Sequence, residues 1–298
     1  MKNPLRLLRF TRIPLLMILF VSLFHCNKAN EIADNYGERY DISFLQLSDR
    51  QFDTSDKTEN ARTIDLVADD TMLFIHSRET STVVQYHLTN AGDISSAEYV
   101  YSFHTDDYLG TANQDQHGHG IYIQRETFDR MWLFNRTEIW QFDFVESGNL
   151  STAVHSGYND LTDYVSRGHD IDFNHDGSRF YVEDRNEENV YQFLVEENWD
   201  INQLEFDYAL DISETHSAVR GIEFRPDGRK MYLLDTSLKQ IQQFDLSTPW
   251  ELRSATFEQY FLLEIENPRG LTWNSDGSQA YVMCATTGII RQYSIVLK

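Results

Sequence analysis

The sequence has little cysteine, little proline and few basic residues to balance its acidic ones. Its 298 residues include 2 Cys, 5 Pro, 25 Lys+Arg and 47 Asp+Glu, which gives a formal net charge of −22. This surplus of acid argues against a nucleic-acid partner, because contacts to phosphates need a basic surface. Apolar residues make up 41% and aromatic residues 13% of the chain, so a disordered or collagen-like protein is excluded.

The sequence also lacks the familiar catalytic signatures. It contains no GxSxG elbow, no phosphate-binding P-loop, no GxGxxG, no HExxH and no paired-cysteine metal motif. No helical period of apolar residues persists after the first 25 residues, which points to a protein built of strands.

The amino terminus predicts an exported protein. Four basic residues precede an apolar run over residues 13–24, which is shorter than the about 20 residues that a transmembrane helix needs. Cys26 follows at once, and this junction resembles a bacterial lipobox, with His25 where a small residue is usual. We expect a signal peptide over 1–25, a lipid anchor on Cys26, a polar tether over 26–39 and a location in the cell envelope outside the cytoplasm. An uncleaved N-terminal anchor stays open as the alternative.

The decisive feature of the sequence is an internal repeat. A glutamine followed by an aromatic residue recurs five times, at intervals of 56, 51, 51 and 49 residues, which is typical of a repeat architecture. We expect these glutamines to hydrogen-bond backbone groups between strands or between repeats. They are Gln85, Gln141, Gln192, Gln243 and Gln292.

Each repeat predicts four short strands. In the most regular copy these are Ile222–Phe224, Met231–Leu234, Ile241–Leu246 and Tyr260–Ile265, and an Asp-Gly turn joins the first two. Units of about 50 residues with four strands are typical of β-propeller blades.

The order of the pieces predicts a closed ring. The last copy ends after its third strand, and a spare strand at Tyr40–Leu47 precedes the first copy. Pairing the two would complete a fifth blade and remove exposed sheet edges. We therefore expect an all-β, five-bladed propeller of four-stranded blades over residues 40–298, closed by an N-terminal strand and present as a monomer.

The best copy also resembles a known group of proteins. Its stretch Arg220–Leu233 (RGIEFRPDGRKMYL) resembles the blades of YVTN, lactonase and NHL-type bacterial propellers. The following Gln243–Leu252 is similar to a variant repeat of bacterial and phage surface proteins. The resemblance implies the fold, and it leaves function open because such propellers include both enzymes and binding modules.

Alignment of the five copies predicts a ligand site at one rim of the central channel. Two residues before an aligned aliphatic residue, every copy has a side chain that can be cationic. Such a ring would attract a carboxylate or phosphate into an otherwise acidic molecule. The first-strand positions are Arg62, His119, His169, Arg220 and Arg269, and the ends of the second strands add His76, Asp184 and Asp235. The alternative is that the cations are paired within their own blades, Arg220 with Asp235 and His169 with Asp184.

The histidines allow a metal centre as a second possibility. His117 and His119 lie two residues apart, so on an extended strand they would point to the same face. His169 occupies the equivalent position one blade later, beside Asp170. Imidazole and carboxylate ligands suit zinc or a similar divalent ion. Otherwise we expect no cofactor.

Three functions therefore remain open from the sequence. The first is a membrane-tethered propeller that binds a small anionic ligand or an unknown protein through this rim. The second is a lactonase-like hydrolase or lyase with a histidine or metal centre at His119 and His169. The third is a structural surface protein without a small ligand.

Overall fold

The computed structural model describes residues 36–109 and 118–297, so the predicted signal peptide, Cys26 and His117 lie outside the described residues. Glu38–Lys298 forms one compact unit. In the described parts, twenty strands form five separate sheets of four antiparallel strands each. The same residues contain no helix long and apolar enough to cross a membrane. The predicted all-β propeller with five four-stranded blades is confirmed.

Each of the first four blades is continuous in the chain, with its strands in sequence order from the channel outwards. The first blade comprises β2 (Ala61–Val67), β3 (Met72–Ser77), β4 (Thr82–Leu88) and β5 (Ala97–His104). The second comprises β6 (Gly120–Ile123), β7 (Arg130–Phe134), β8 (Glu138–Phe144) and β9 (Ala153–Asp160). The third comprises β10 (Gly168–Phe173), β11 (Arg179–Asp184), β12 (Asn189–Val195) and β13 (Leu204–Asp211). The fourth comprises β14 (Val219–Phe224), β15 (Lys230–Asp235), β16 (Gln240–Leu246) and β17 (Ala255–Leu262).

The fifth blade joins the two ends of the described chain, as the sequence predicts. Its inner strands are β18 (Pro268–Trp273), β19 (Gln279–Cys284) and β20 (Ile289–Ile295), and its outer strand is β1 (Leu45–Asp53). β1 pairs antiparallel with β20, with Leu45 opposite Ile295. Each innermost strand packs against the next, and β18 packs against β2, so the ring is closed.

Short helical turns connect the strands. The turns Ile42–Phe44, Ile94–Ser96, Leu150–Thr152 and Leu252–Ser254 are 3-10 helices that lead into outer strands, and Asp106–Leu109 is a single α-helical turn. The predicted spare strand Tyr40–Leu47 therefore begins too early, because residues 42–44 form such a turn and β1 starts at Leu45. The Asp41 carboxylate accepts the backbone N–H of Ser43, which favours the turn over an extended chain.

The hydrophobic core lies between neighbouring blades. The innermost strand of the first blade is buried along its whole length, whereas the outer strands are largely exposed. Between the second and third blades, the rings of Trp132 and Phe173 lie 4.7 Å apart and Trp199 packs on both. This rigid packing holds the ends of the innermost strands around the channel.

Candidate functional site

The five aligned positions lie together at one end of the channel, which we call the cationic mouth. In four blades the aligned position is the second residue of the innermost strand: Arg62 in β2, His169 in β10, Arg220 in β14 and Arg269 in β18. In the second blade, His119 directly precedes β6. The rings of His119 and His169 lie 4.6 Å apart between centroids. Arg62 is 6% exposed and Arg220 is 9% exposed. Side chains that are far apart in the chain but aligned in the repeat therefore lie close together in the fold.

The arginines of the cationic mouth repel one another. Burial, followed by the charge of Arg269, lowers the pKa of Arg62 and of Arg220. A guanidinium keeps its proton under ordinary conditions, so this repulsion is not relieved by deprotonation. An anion placed among these groups would relieve it.

The predicted pairing within blades is absent from the described residues. The Asp235 carboxylate accepts the backbone N–H groups of Ser217 at 2.7 Å, Ala218 at 3.0 Å and Leu238 at 2.8 Å. These bonds hold the loop that enters β14, and Arg220 forms no ion pair with Asp235. The carboxylate therefore stabilises the backbone beneath the mouth.

Asp184 has the same role in the third blade. It accepts the backbone N–H groups of Ser166 at 2.5 Å and Arg167 at 2.9 Å, and it also bonds the turn at Asn186. Its predicted partner His169 instead has its Nδ1 atom 4.0 Å from Glu183 Oε1. Asp184 and Asp235 thus both hold backbone N–H groups of the loops that enter the innermost strands. Their predicted role in ligand binding stays a prediction.

Three guanidinium groups in the mouth consequently form no ion pair within 4.0 Å among the described residues, although the charges of Glu79 and Glu183 act on Arg62 and Arg220 from farther away. Arg62 Nε, Arg220 Nε and Arg269 Nη1 are buried and make no hydrogen bond there. Arg269 Nε donates to the side chain of Asn267 at 3.0 Å, which is a neutral acceptor. Buried charges are usually paired, so these groups mark a place where a negative ligand would be stabilised.

Sequence reasoning missed four further arginines at this mouth. Their charges lower the pKa of the aligned arginines: Arg78 and Arg136 act on Arg62, Arg185 acts on Arg220 and Arg269, and Arg167 acts on Arg269. The signal was present in the sequence, because Arg136 and Arg185 each directly follow the aligned end of a second strand.

A buried acid lies beside the two histidines. Glu183 is fully buried, and neither of its carboxylate oxygens has a hydrogen-bond partner among the described residues. Burial and the nearby Asp170 raise its pKa. Burial and the charge of Arg220 lower the pKa of His169, so its imidazole is neutral near pH 7.

The predicted metal ligands receive no support from the described geometry. Within the described ranges, no group of three or more His, Cys, Asp or Glu side chains could hold a metal ion. Asp170 instead accepts a hydrogen bond from Thr63 Oγ1 at 3.1 Å, and His117 lies outside the described residues. His76 contacts the second blade, with Nδ1 3.2 Å from the Gly120 carbonyl oxygen.

A second cluster of charges lies deeper in the channel, and sequence reasoning missed it. Asp65, Asp172 and Glu223 each directly follow the aligned aliphatic residue of their blade. Arg125, from the turn after β6, forms ion pairs with Asp65 and, at 3.3 Å, with Glu223. The three acids share one register of the same alignment, whereas no strand periodicity predicts that a turn residue reaches back to them.

Comparison with known proteins assigns the chain to no family. No family model and no curated protein matches the chain. Three similar solved structures can be named. A putative 6-phosphogluconolactonase from Bacteroides uniformis ATCC 8492 is 14% identical, with a TM-score of 0.47, and the match covers 78% of this chain and 65% of that one. The periplasmic gluconolactonase of Pseudomonas aeruginosa is 15% identical, with a TM-score of 0.46 and coverage of 78% and 70%. A β-propeller domain from Myceliophteria thermophila is 9% identical, with a TM-score of 0.47 and coverage of 79% and 83%. At such identities and TM-scores the likeness says nothing about the activity of this chain.

Proposed function

We propose that the chain is an extracytoplasmic, membrane-tethered propeller that binds a small anion through its cationic mouth. One observation carries the proposal: the buried Arg62 and Arg220 and the half-buried Arg269 form no ion pair among the described residues. A carboxylate or phosphate would supply charge-assisted hydrogen bonds to them. Arginine suits this task because its planar donors match both anions.

The net charge of the molecule favours a small ligand over a polyanion. At −22 the chain as a whole repels nucleic acid and anionic surfaces, while the arginines concentrate positive charge at one mouth. The same chemistry would accept a free small anion or a single acidic group presented by a partner protein. Size distinguishes the two sources in the experiment below.

Anion binding is tested by titrating the full chain with inorganic phosphate, with citrate and with an acidic peptide. Binding stabilises the folded state, so the melting temperature rises with ligand concentration and rises less at high salt. We expect Arg220→Gln with Arg269→Gln to weaken phosphate binding about tenfold or more, which corresponds to about 1.4 kcal/mol.

Arg253→Gln is the control for this experiment. Arg253 is exposed and pairs with Asp207 and Glu251 on the outer side of the blades, so this variant removes one positive charge outside the mouth, against two inside it for the double variant. The proposal fails if the double variant binds as the wild type does, or if Arg253→Gln weakens binding equally. Binding of the peptide without binding of either free anion would assign the mouth to a protein partner.

The tether is a separate part of the proposal. A lipid on Cys26 would hold the folded unit at the membrane surface outside the cytoplasm. We expect Cys26→Ser to move the chain from the membrane fraction to the soluble fraction of cells. An unchanged distribution would favour an uncleaved N-terminal anchor.

A lactonase-like hydrolase is the second candidate, and the neutral His169 beside Glu183 favours it. Its imidazole could take a proton from water while the water oxygen attacks a lactone carbonyl carbon. The ring C–O bond then breaks, and the proton passes to the departing oxygen. The hydroxy acid that results carries a carboxylate, which the nearby arginines would bind.

Hydrolysis is tested by following acid release from aldonolactones above the uncatalysed rate. We expect His169→Gln to abolish any such activity while leaving phosphate binding within about threefold, because the arginines remain. Absence of lactone hydrolysis by the wild-type chain would remove this candidate and leave anion binding intact.

A further inference from the structure

At its other end the channel opens into a cavity, which we call the aromatic pocket. It has a volume of about 220 Å³ and lies where the innermost strands end, opposite the cationic mouth. Its walls are aromatic rings from four blades: Tyr40, Tyr122, Phe173, Phe224, Trp250 and Trp273. Pockets lined by rings with a few fixed polar groups are typical of small-molecule sites.

The charge of the aromatic pocket is opposite to that of the cationic mouth. Arg125 is its one guanidinium, and it faces Asp65, Asp172 and Glu223. Asp69, Asp70 and Glu126 add acidic groups nearer to solvent. The acids therefore outnumber the arginine, and burial raises the pKa values of Asp65, Asp172 and Glu223, so a cation in the pocket would favour their charged forms.

The internal ion pairs leave some carboxylate oxygen available. Arg125 Nη2 lies 3.3 Å from Glu223 Oε1, and Arg125 Nη1 bonds Asp65 and the Leu66 carbonyl oxygen. The Glu223 side chain is 14% exposed, so it reaches the cavity, while Asp172 is held by the backbone N–H groups of Phe173 and Phe224. Glu223 is the carboxylate best placed to meet a ligand.

The rings themselves suit a cation. The guanidinium carbon of Arg125 lies 5.0 Å from the centre of the Tyr122 ring, which is a cation–π contact. The pocket thus already stabilises one cation against an aromatic face. Trp250 and Trp273 offer the kind of ring that binds cations most strongly.

One donor in the wall has no acceptor. Trp273 is 4% exposed, and its Nε1 atom is buried without a hydrogen-bond partner among the described residues. An indole N–H usually finds an acceptor when it is buried. Because this atom is inaccessible to solvent, a ligand in the pocket would contact the ring of Trp273 and not its N–H group.

We propose that the aromatic pocket binds a small organic ammonium compound. The ammonium lies against the tryptophan rings and near Glu223. The proposal is independent of anion binding, because the two sites lie at opposite ends of the channel and share no residue.

The test uses choline and its uncharged carbon isostere, 3,3-dimethylbutan-1-ol, with the full chain. The two probes have nearly the same shape and differ in charge, so their affinities separate cation recognition from simple apolar binding. Binding is followed by calorimetry and by tryptophan fluorescence. We expect choline to bind at least about tenfold more tightly than the isostere, and its affinity to fall with added salt.

Two substitutions locate the site. Glu223→Gln should weaken choline binding about tenfold without affecting the isostere, and Trp273→Phe should weaken choline binding more than isostere binding, because an indole ring binds cations more strongly than a phenyl ring. Glu205→Gln is the matched control, since Glu205 is exposed on β13 outside the pocket. Near-ultraviolet circular dichroism and phosphate binding report whether each variant keeps its fold.

Three outcomes would overturn the proposal. They are equal affinities for choline and the isostere, an unchanged choline affinity in folded Glu223→Gln, and no detectable choline binding by the wild-type chain. Each of them leaves phosphate binding at the cationic mouth as it was, so failure here is distinguishable from failure of the proposed function.

Discussion

Four of the five repeat glutamines carry a hydrogen bond from one blade to the next. The side-chain oxygens of Gln85, Gln192, Gln243 and Gln292 accept the backbone N–H of the first residue in the neighbouring 3-10 turn, at 2.9 to 3.2 Å. The sequence prediction is confirmed for these four. It is wrong for Gln141, whose oxygen accepts from Trp132 Nε1; in this blade Asn159 Nδ2 donates to the carbonyl oxygen of Ile201 in the neighbouring blade.

Removal of one such glutamine should weaken the ring measurably. In Gln192→Ala the buried N–H of Leu252, 2.9 Å from Gln192 Oε1, loses its acceptor. We expect the free energy of unfolding to fall by about 1–3 kcal/mol in urea denaturation. Gln46→Ala, on the exposed side of β1, is the control and should change it by less than about 0.5 kcal/mol. Equal effects would contradict the assigned contact.

Asp172 should make stability depend on pH in a particular direction. Burial raises its pKa to about 7 from 3.8, although Arg125 opposes the shift. Between these values the folded state binds more protons than the unfolded state, so this group's contribution is full below pH 3.8 and is lost as pH rises through 7. Asp172→Asn removes the titrating group, so the variant does not lose this contribution to stability as pH rises.

We therefore expect the free energy of unfolding of Asp172→Asn, relative to wild type, to increase from pH 5 to pH 8. The slope is at most about 1.4 kcal/mol per pH unit, the value for one proton. Asp69→Asn, at an exposed position, serves as the control and should give a flat difference. A difference for Asp172→Asn that falls with pH would show the opposite linkage.

At the scale of elements, the Asp-Gly turns and the turns before outer strands fit together. Gly228 has φ +71°, and a Cβ atom there would lie 2.4 Å from the Trp250 ring. Gly177 and Gly277 meet Trp199 and Tyr40 in the same way. The glycine thus supplies both a left-handed conformation and the space for a ring.

Gly228→Ala should therefore lower the free energy of unfolding by more than backbone strain alone would. Gly92 has nearly the same φ of +70°, but a Cβ there would first meet the flexible end of Gln279 at 3.1 Å. We expect a loss of about 1–2 kcal/mol for Gly92→Ala and about 2–4 kcal/mol for Gly228→Ala, from thermal or urea unfolding. If the two losses are equal, Trp250 moves away without cost and the packing argument is wrong.

The elements also show what sequence could and could not predict. Repeat spacing and the Asp-Gly turns, which are periodic signals, were sufficient to predict five blades, and the spare strand before the first copy was sufficient to predict ring closure. Boundaries were less accurate: the fourth strand predicted at Tyr260–Ile265 lies at Ala255–Leu262. Leu263 and Ile265 are buried in the connection to β18, so their apolar character indicated burial and not strand.

The residues of the two sites also differ in whether the sequence could predict their positions. Positions on innermost strands, such as Arg62 and Arg220, could be aligned because the ring repeats them. Arg125 and Arg167 lie in loops, whose course depends on tertiary packing, so their approach to the channel could not be aligned. Trp273 was visible in the sequence, but its unpartnered N–H depends on what surrounds it.

At the scale of the whole molecule, the two ends of one channel carry opposite charge. Arg62, Arg220 and Arg269 lie at one end, and the acids around Arg125 lie toward the other. Both clusters draw members from several blades, and Tyr40 in the aromatic pocket comes from the segment that closes the ring. Each site therefore requires the closed ring, which makes closure the property on which both functions depend.

Closure can be locked with a disulfide between β1 and β20. Gln46 lies opposite Ser294 in the antiparallel pair, where Cα atoms are typically about 4.5–5.5 Å apart, within the range that a disulfide spans. We expect Gln46→Cys with Ser294→Cys, in a Cys26→Ser background, to form an intramolecular bond. Because it would close a loop of nearly the whole chain, the oxidised form should be about 2–4 kcal/mol more stable than the reduced form.

The single variant Gln46→Cys in the same background is the control for oxidation itself and should show no such difference. Cys284 is buried, with its thiol 2.9 Å from the Glu266 carbonyl oxygen, and does not compete for the new bond. If β1 closes the ring, locking it should leave phosphate and choline binding intact while slowing unfolding. Bonds that form only between two chains would mean that β1 pairs with a second molecule, and the ring would then be open in solution.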